Sequence, residues 1–170
     1  TPSMSDEKID RLRERSVDET LHDAHARISA HIRQYKLISG FARTFSDEDD
    51  DAVQSPVVKQ SLTALQIELD RLHPADIAHI LEISPLDERK FIWDRVKADR
   101  DGEILIEVTD AVRDSLIADM ETQELVAAAA TLDADELADL APDLPSNVMA
   151  EVSKSLSQEE REQLRAAMSY

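Results

Sequence analysis

The chain has 170 residues, 42% of them hydrophobic, enough to bury a substantial core in one or two domains. With 37 Asp and Glu against 19 Lys and Arg, its formal net charge of -18 repels phosphate backbones and anionic lipid, which argues against nucleic acid and membrane surfaces as partners and for basic partners or divalent cations. The absence of cysteine excludes disulfides and thiolate metal sites, and no apolar run reaches the roughly 20 residues that span a bilayer.

Two glycines and six prolines leave little room for hairpins, and the chain reads as all-α. The first element expected is a longer helix opening at Ser16-Val17-Asp18-Glu19, a pattern in which a Ser hydroxyl and a Glu carboxylate satisfy the free amides of a helix start. Leu21, Ala24, Ile28, Ile32 and Tyr35 then recur at helical spacing as one apolar stripe. His22, His25 and His31 lie along the same helix, without a third metal ligand at matching spacing. Ser46-Asp47-Glu48-Asp49-Asp50-Asp51 follows as an acidic run that repels itself and resists burial, the mark of a solvated link. Ser55-Pro56 restarts helix, with Leu62, Leu65, Leu69 and Leu72 directed inward.

From Ser61 to Met168 the sequence keeps a twelve-residue rhythm. Eight of nine successive blocks close on an apolar residue, and Ser84 alone departs. Pro74, Ile77, Ala78, Ile80 and Pro85 recur five periods later as Ala134, Leu137, Ala138, Leu140 and Pro145. Eight or nine residues of helix and a short turn cannot bury an apolar face alone, so neighbours must stack. Glu103 to Val108 alternates like a strand but sits within the rhythm and reads as helix. Ser84-Pro85 is expected to cap and start a helix, and capping boxes are expected at Asp133-Ala134-Asp135-Glu136 and Ser157-Gln158-Glu159-Glu160. The expected organisation is a helical extension over residues 1–55, with its acidic link at 46–52, then a helical-repeat superhelix over residues 56–170.

Such an array presents surfaces to partners rather than an enclosed catalytic pocket. No glycine-rich phosphate loop, nucleophile elbow or paired-histidine zinc motif occurs, and the chain is read as no enzyme. Trp93 reads as a core or interface anchor and His79 as a surface histidine. One pattern has metal logic: Asp135 and Asp139 share a face of one helix at i and i+4, with Glu136 beside them. Hard divalent cations take oxygen ligands, and magnesium keeps several waters while using one or two carboxylates from each face.

Leu72-His73-Pro74-Ala75-Asp76-Ile77-Ala78-His79-Ile80-Leu81-Glu82, followed by Asp87-Glu88-Arg89, resembles the amino-terminal intracellular domain of MgtE-type magnesium transporters. So do Leu132 to Leu140 and the closing Glu160-Arg161…Met168-Ser169-Tyr170. The resemblance covers about residues 60–170. It implies a right-handed superhelix of short helices and the cytoplasmic domain of a bacterial inner-membrane transporter, itself without membrane insertion. It also implies a following CBS domain pair, a transmembrane channel and a homodimer. In that family Mg2+ bridges acidic residues of this domain and the CBS pair, which favours the closed channel. Low Mg2+ releases it. Glu103, Asp135 and Asp139 match acidic positions the family uses, with Asp76 and Glu136 as further candidate ligands. Half of each bridging site lies outside this chain, so Mg2+ is expected to bind the fragment weakly. The alternative is a helical-repeat interaction scaffold of the flagellar motor-switch type, in which no cation matters.

Overall fold

The computed structural model describes residues 4–45 and 56–169. Every regular element among them is helical. The chain divides into two compact units at Leu72/His73.

The first unit is a helical pair, α1 (Met4–Phe45) and α2 (Pro56–Asp70), packed against each other. α1 begins well before the expected Ser16 start. Residues 4–15 hold good helix formers and no Gly or Pro, so nothing stops the helix upstream of that motif, which lies inside α1. Ala24, Ile28 and Ile32 of the stripe are buried, as are Val58, Leu65 and Leu69 of α2, while Leu21, Tyr35 and Leu62 are half-buried. Arg27 Nε donates to Glu68 Oε2 at 3.2 Å across the pair. This packing places α2 with α1 in the first compact unit, and the second unit begins at His73. The acidic link lies outside the described residues.

The second unit is the array. Its helices are α3 (Pro74–Ile83), α4 (Leu86–Arg95), α5 (Ala98–Glu107), α6 (Asp110–Ala118), α7 (Thr122–Ala130), α8 (Ala134–Leu140), α9 (Ser146–Ser155) and α10 (Gln158–Met168). A 3-10 turn, Ala141–Asp143, extends α8. The helices start at residues 74, 86, 98, 110, 122, 134, 146 and 158, so the rhythm read from the sequence is the rhythm of the fold. Packing runs to the second neighbour: α3 on α5, α5 on α7, α7 on α9 and α8 on α10, with α8 also touching α5. Ile77, Ile80, Leu81, Ile104, Leu105, Leu125, Val148 and Val152 are buried along it. Each buried Val, Leu or Ile contributes about 1.5–3 kcal/mol. That burial holds helices too short to persist alone.

The positions that close each block explain the spacing. Val96, Val108 and Leu156 end helices in extended backbone, and Val108 and Leu144 are buried. Ser84 occupies the same place and is also buried; its Oγ donates to Ile80 O at 2.6 Å, so the hydroxyl is satisfied within its own helix. Ser84 therefore ends α3 rather than starting α4, whose N-cap is Pro85.

A second period, twice the first, overlies it. Arg89 Nε donates to Leu81 O at 2.9 Å, Arg113 Nε to Leu105 O at 2.6 Å, and Arg161 Nε to Ser153 O at 2.8 Å. Each arginine stands in the first turns of a helix and reaches back eight residues to a carbonyl near the end of the preceding one, where acceptors lack intrahelical partners. The positions fall on a 24-residue spacing whose remaining member, residue 137, is a buried Leu.

Candidate functional site

The candidate ligands lie on α5 and α8. Asp133 caps α8 and accepts from Glu136 N at 2.8 Å, and Asp133 N donates to Glu136 Oε1 at 3.4 Å, the expected reciprocal box. The amide of Glu136, then that of Asp135, hold the Asp133 carboxyl below its usual value. Glu136 goes the other way. The hydrogen bond from the Asp133 amide favours its charge, but desolvation and the neighbouring Asp133 and Glu103 carboxylates outweigh it and raise its pKa.

Glu103 therefore acts on Glu136 across the α5–α8 packing, 33 positions apart in the chain. Glu103, Asp135 and Asp139 are exposed. Asp135 lines a shallow groove of about 530 Å³ towards Gln163, Ala166 and Ala167 of α10. Asp76 stands in the first turn of α3, where its charge complements the helix N-terminus, and it is not among the charges acting on Glu136. Of the candidate ligands only Glu103 adds its charge to the surroundings of Glu136, whose direct partner is Asp133, and Asp135 lines the groove towards α10. Among the described residues no three His, Asp or Glu side chains are grouped to hold a metal ion. Oxygen ligands of this kind suit Mg2+ in chemistry, but they form open faces rather than a closed cage.

Two neighbours on α5 set the geometry around Glu103, and sequence reasoning assigned neither a role. Gly102 lies where α5 meets α7: a Cβ built there would stand 2.5 Å from Ala128 O and 2.7 Å from Thr131 Oγ1. Only glycine lets the helices approach this closely. Asp101 is 8% exposed, its Oδ1 has no hydrogen-bond partner among the described residues, and its pKa rises to about 7 through burial first, then Glu124 and Asp99.

His73 also went unread: its Nδ1 accepts from Ala75 N at 3.1 Å and caps α3. Ser157 caps α10 as expected, accepting from Glu160 N at 3.1 Å. Trp93 is buried and His79 exposed. No helix among the described residues is long and apolar enough to cross a membrane.

No curated protein matches the chain. Residues 72–170, more than half of its length and the whole of the second unit, match the family model of the MgtE intracellular N domain, and the chain belongs to that family.

Proposed function

We propose that this domain senses magnesium for a transporter. Carboxylates on α5 and α8 share Mg2+ with a CBS domain pair of the same polypeptide, in a homodimer, and the shared ions favour a closed channel. The observation that carries the reading is charge without compensation. Among the described residues Glu103, Asp135, Glu136, Asp139 and Asp76 form no ion pair, while Glu68, Asp119, Asp143 and Glu151 each meet an Arg or Lys within 4.0 Å. Like charges so placed favour separation of the acidic surfaces, and a divalent cation between two such surfaces reverses that preference.

The mechanism is a population shift. Mg2+ stabilises the compact arrangement only to the extent that it binds it better than the open one. With half of each ligand set on this chain, the isolated domain binds Mg2+ weakly, and ordered water completes the shell. The test is limited proteolysis of the whole transporter across a Mg2+ titration at constant ionic strength. Protection at the junction between this domain and the CBS pair should rise with Mg2+. A cleavage pattern indifferent to Mg2+ overturns the reading and leaves an acidic helical scaffold.

A further inference from the structure

Away from the carboxylate faces, α9 and α10 enclose a groove of about 560 Å³ whose chemistry is opposite to that of the rest of the array. Met149, Leu164 and Met168 supply its apolar surface, and Lys154, Arg161 and Arg165 its charge. No carboxylate lines it among the described residues. Residues 73–170 hold nine Lys and Arg against 23 Asp and Glu, so one third of the unit's fixed cations stand around this one groove. On α10 the four lining positions 161, 164, 165 and 168 follow i, i+3, i+4, i+7, one continuous helical face. Leu164 is buried, but Met168 is 53% exposed, a large apolar side chain left in solvent.

We propose that this groove docks an acidic amphipathic protein helix. The packing of the array gives the shape: α9 already receives α7, α10 already receives α8, and no residue of α7 or α8 lines the groove. A further helix laid along α9 and α10 would repeat the helix-on-helix contact made throughout the unit. The rim gives the sign. Lys154 Nζ already lies 3.2 Å from Glu151 Oε1, so a partner carrying Glu or Asp beside its apolar stripe meets Arg161 and Arg165 first, whereas a basic partner is drawn to the carboxylate-rich surfaces of the unit. The methionines give tolerance, since unbranched thioethers repack around different apolar side chains. Arg161 Nε is committed to Ser153 O, which fixes that guanidinium at the groove wall and leaves its outer nitrogens to face an incoming carboxylate. This inference goes beyond the magnesium reading and stands without it.

The test uses the 170-residue chain with methyl-labelled methionine, because two of its four methionines, Met149 and Met168, line the groove. The probe is a 15-residue helical peptide with Leu at i, i+3, i+4 and i+7 and Glu flanking them. A matched peptide carries Gln for Glu. The Met149 and Met168 methyl signals should move together and saturate with the acidic peptide, while Met120 stays in place. The Gln peptide should bind about tenfold more weakly or worse, the equivalent of losing one good charged contact. Arg165→Glu and Lys154→Glu, both at exposed positions, should each weaken the acidic peptide by a similar factor with the fold intact. Equal affinity for the two peptides, unchanged affinity in both variants, or a response centred on Met120 overturns the proposal. Concentration-dependent shifts without peptide overturn it too, assigning the groove to a second copy of the chain.

Discussion

Arg113 and Asp143 meet at 2.9 Å, the guanidinium Nη1 on a carboxylate oxygen, although 30 positions separate them. The same guanidinium donates to the carbonyls of Leu105, Ile106 and Val108 at the end of α5, so one buried side chain ties α5, α6 and the turn after α8 together. Arg113→Lys should therefore cost stability despite keeping the charge. A single ammonium cannot reproduce the planar fork, and buried carbonyls are left without donors, a loss of about 1–3 kcal/mol. In a unit of this size that lowers the melting temperature by roughly 4–8 °C per kcal/mol. Asp110 also lies 3.4 Å from Arg113, but its side chain is 92% exposed, and Asp110→Ala should change stability by less than about 0.5 kcal/mol. Thermal melts of the two variants, with Asp143→Ala beside them, separate the buried contact from the exposed one.

The two glycines should respond to alanine with opposite signs. A Cβ at Gly40 meets nothing within 4 Å, so Gly40→Ala should stabilise α1 by about 0.5–1 kcal/mol through helix propensity. At Gly102 the same gain is overridden, because the nearest obstacle is the backbone oxygen of Ala128, which cannot swing aside. Gly102→Ala should destabilise the array by about 1–3 kcal/mol, as overpacking typically does. Denaturant unfolding of both variants checks the pair, and a neutral Gly102→Ala would mean that α5 and α7 slide apart at little cost.

How far the sequence carries can be read from such positions. The twelve-residue rhythm located the helices of the array because buried Val108 and Leu144 and half-buried Leu156 recur at the ends of successive blocks, a constraint that every repeat must meet. The arginine period lay in plain sight at 89, 113 and 161, but a charged residue at 24-residue spacing has no apolar signature and passes for surface charge. Ser16 misled because Ser-x-x-Glu is as compatible with the inside of a helix as with its start; what settles the matter is whether the residues upstream stop the helix. Ser84 misled for a related reason, since its hydroxyl serves the helix behind it. At the candidate site the i, i+4 carboxylates of α8 were legible, but the approach of Glu103 to Glu136 depends on α5 packing against α8, which no local spacing reveals.

Asp101 should make the fold less stable as pH rises. In the folded chain it holds its proton up to about pH 7, whereas an unfolded Asp releases it near 3.8. Between those values the folded state carries the extra proton, so its stability falls with rising pH through that interval and levels off above it. Asp101→Asn removes a charge that has no hydrogen-bond partner on Oδ1 while keeping the shape. The variant should lose this component of the pH slope and be the more stable of the two at pH 8. Chemical denaturation at pH 5, 6.5 and 8 in magnesium-free buffer provides the comparison. An unaltered slope would place the titration at another group.

Asp135 and Asp139 should matter to magnesium and not to folding. Both are exposed on α8 and neither forms an ion pair among the described residues, so Asp135→Asn with Asp139→Asn should leave the stability of the domain within the small range of a surface change, about 0.5 kcal/mol. In the whole transporter the same pair should shift the Mg2+ dependence of protease protection to higher concentration, because each neutralised carboxylate removes an oxygen ligand's charge from the bridging face. Asp133→Ala provides the contrast. It removes the cap of α8 and should lower the melting temperature of the domain before any effect on the cation is counted. A double Asn variant with normal stability and an unmoved Mg2+ midpoint would take Asp135 and Asp139 out of the sensor. Glu103 and Glu136 would then be the next residues to neutralise, by Glu103→Gln and Glu136→Gln.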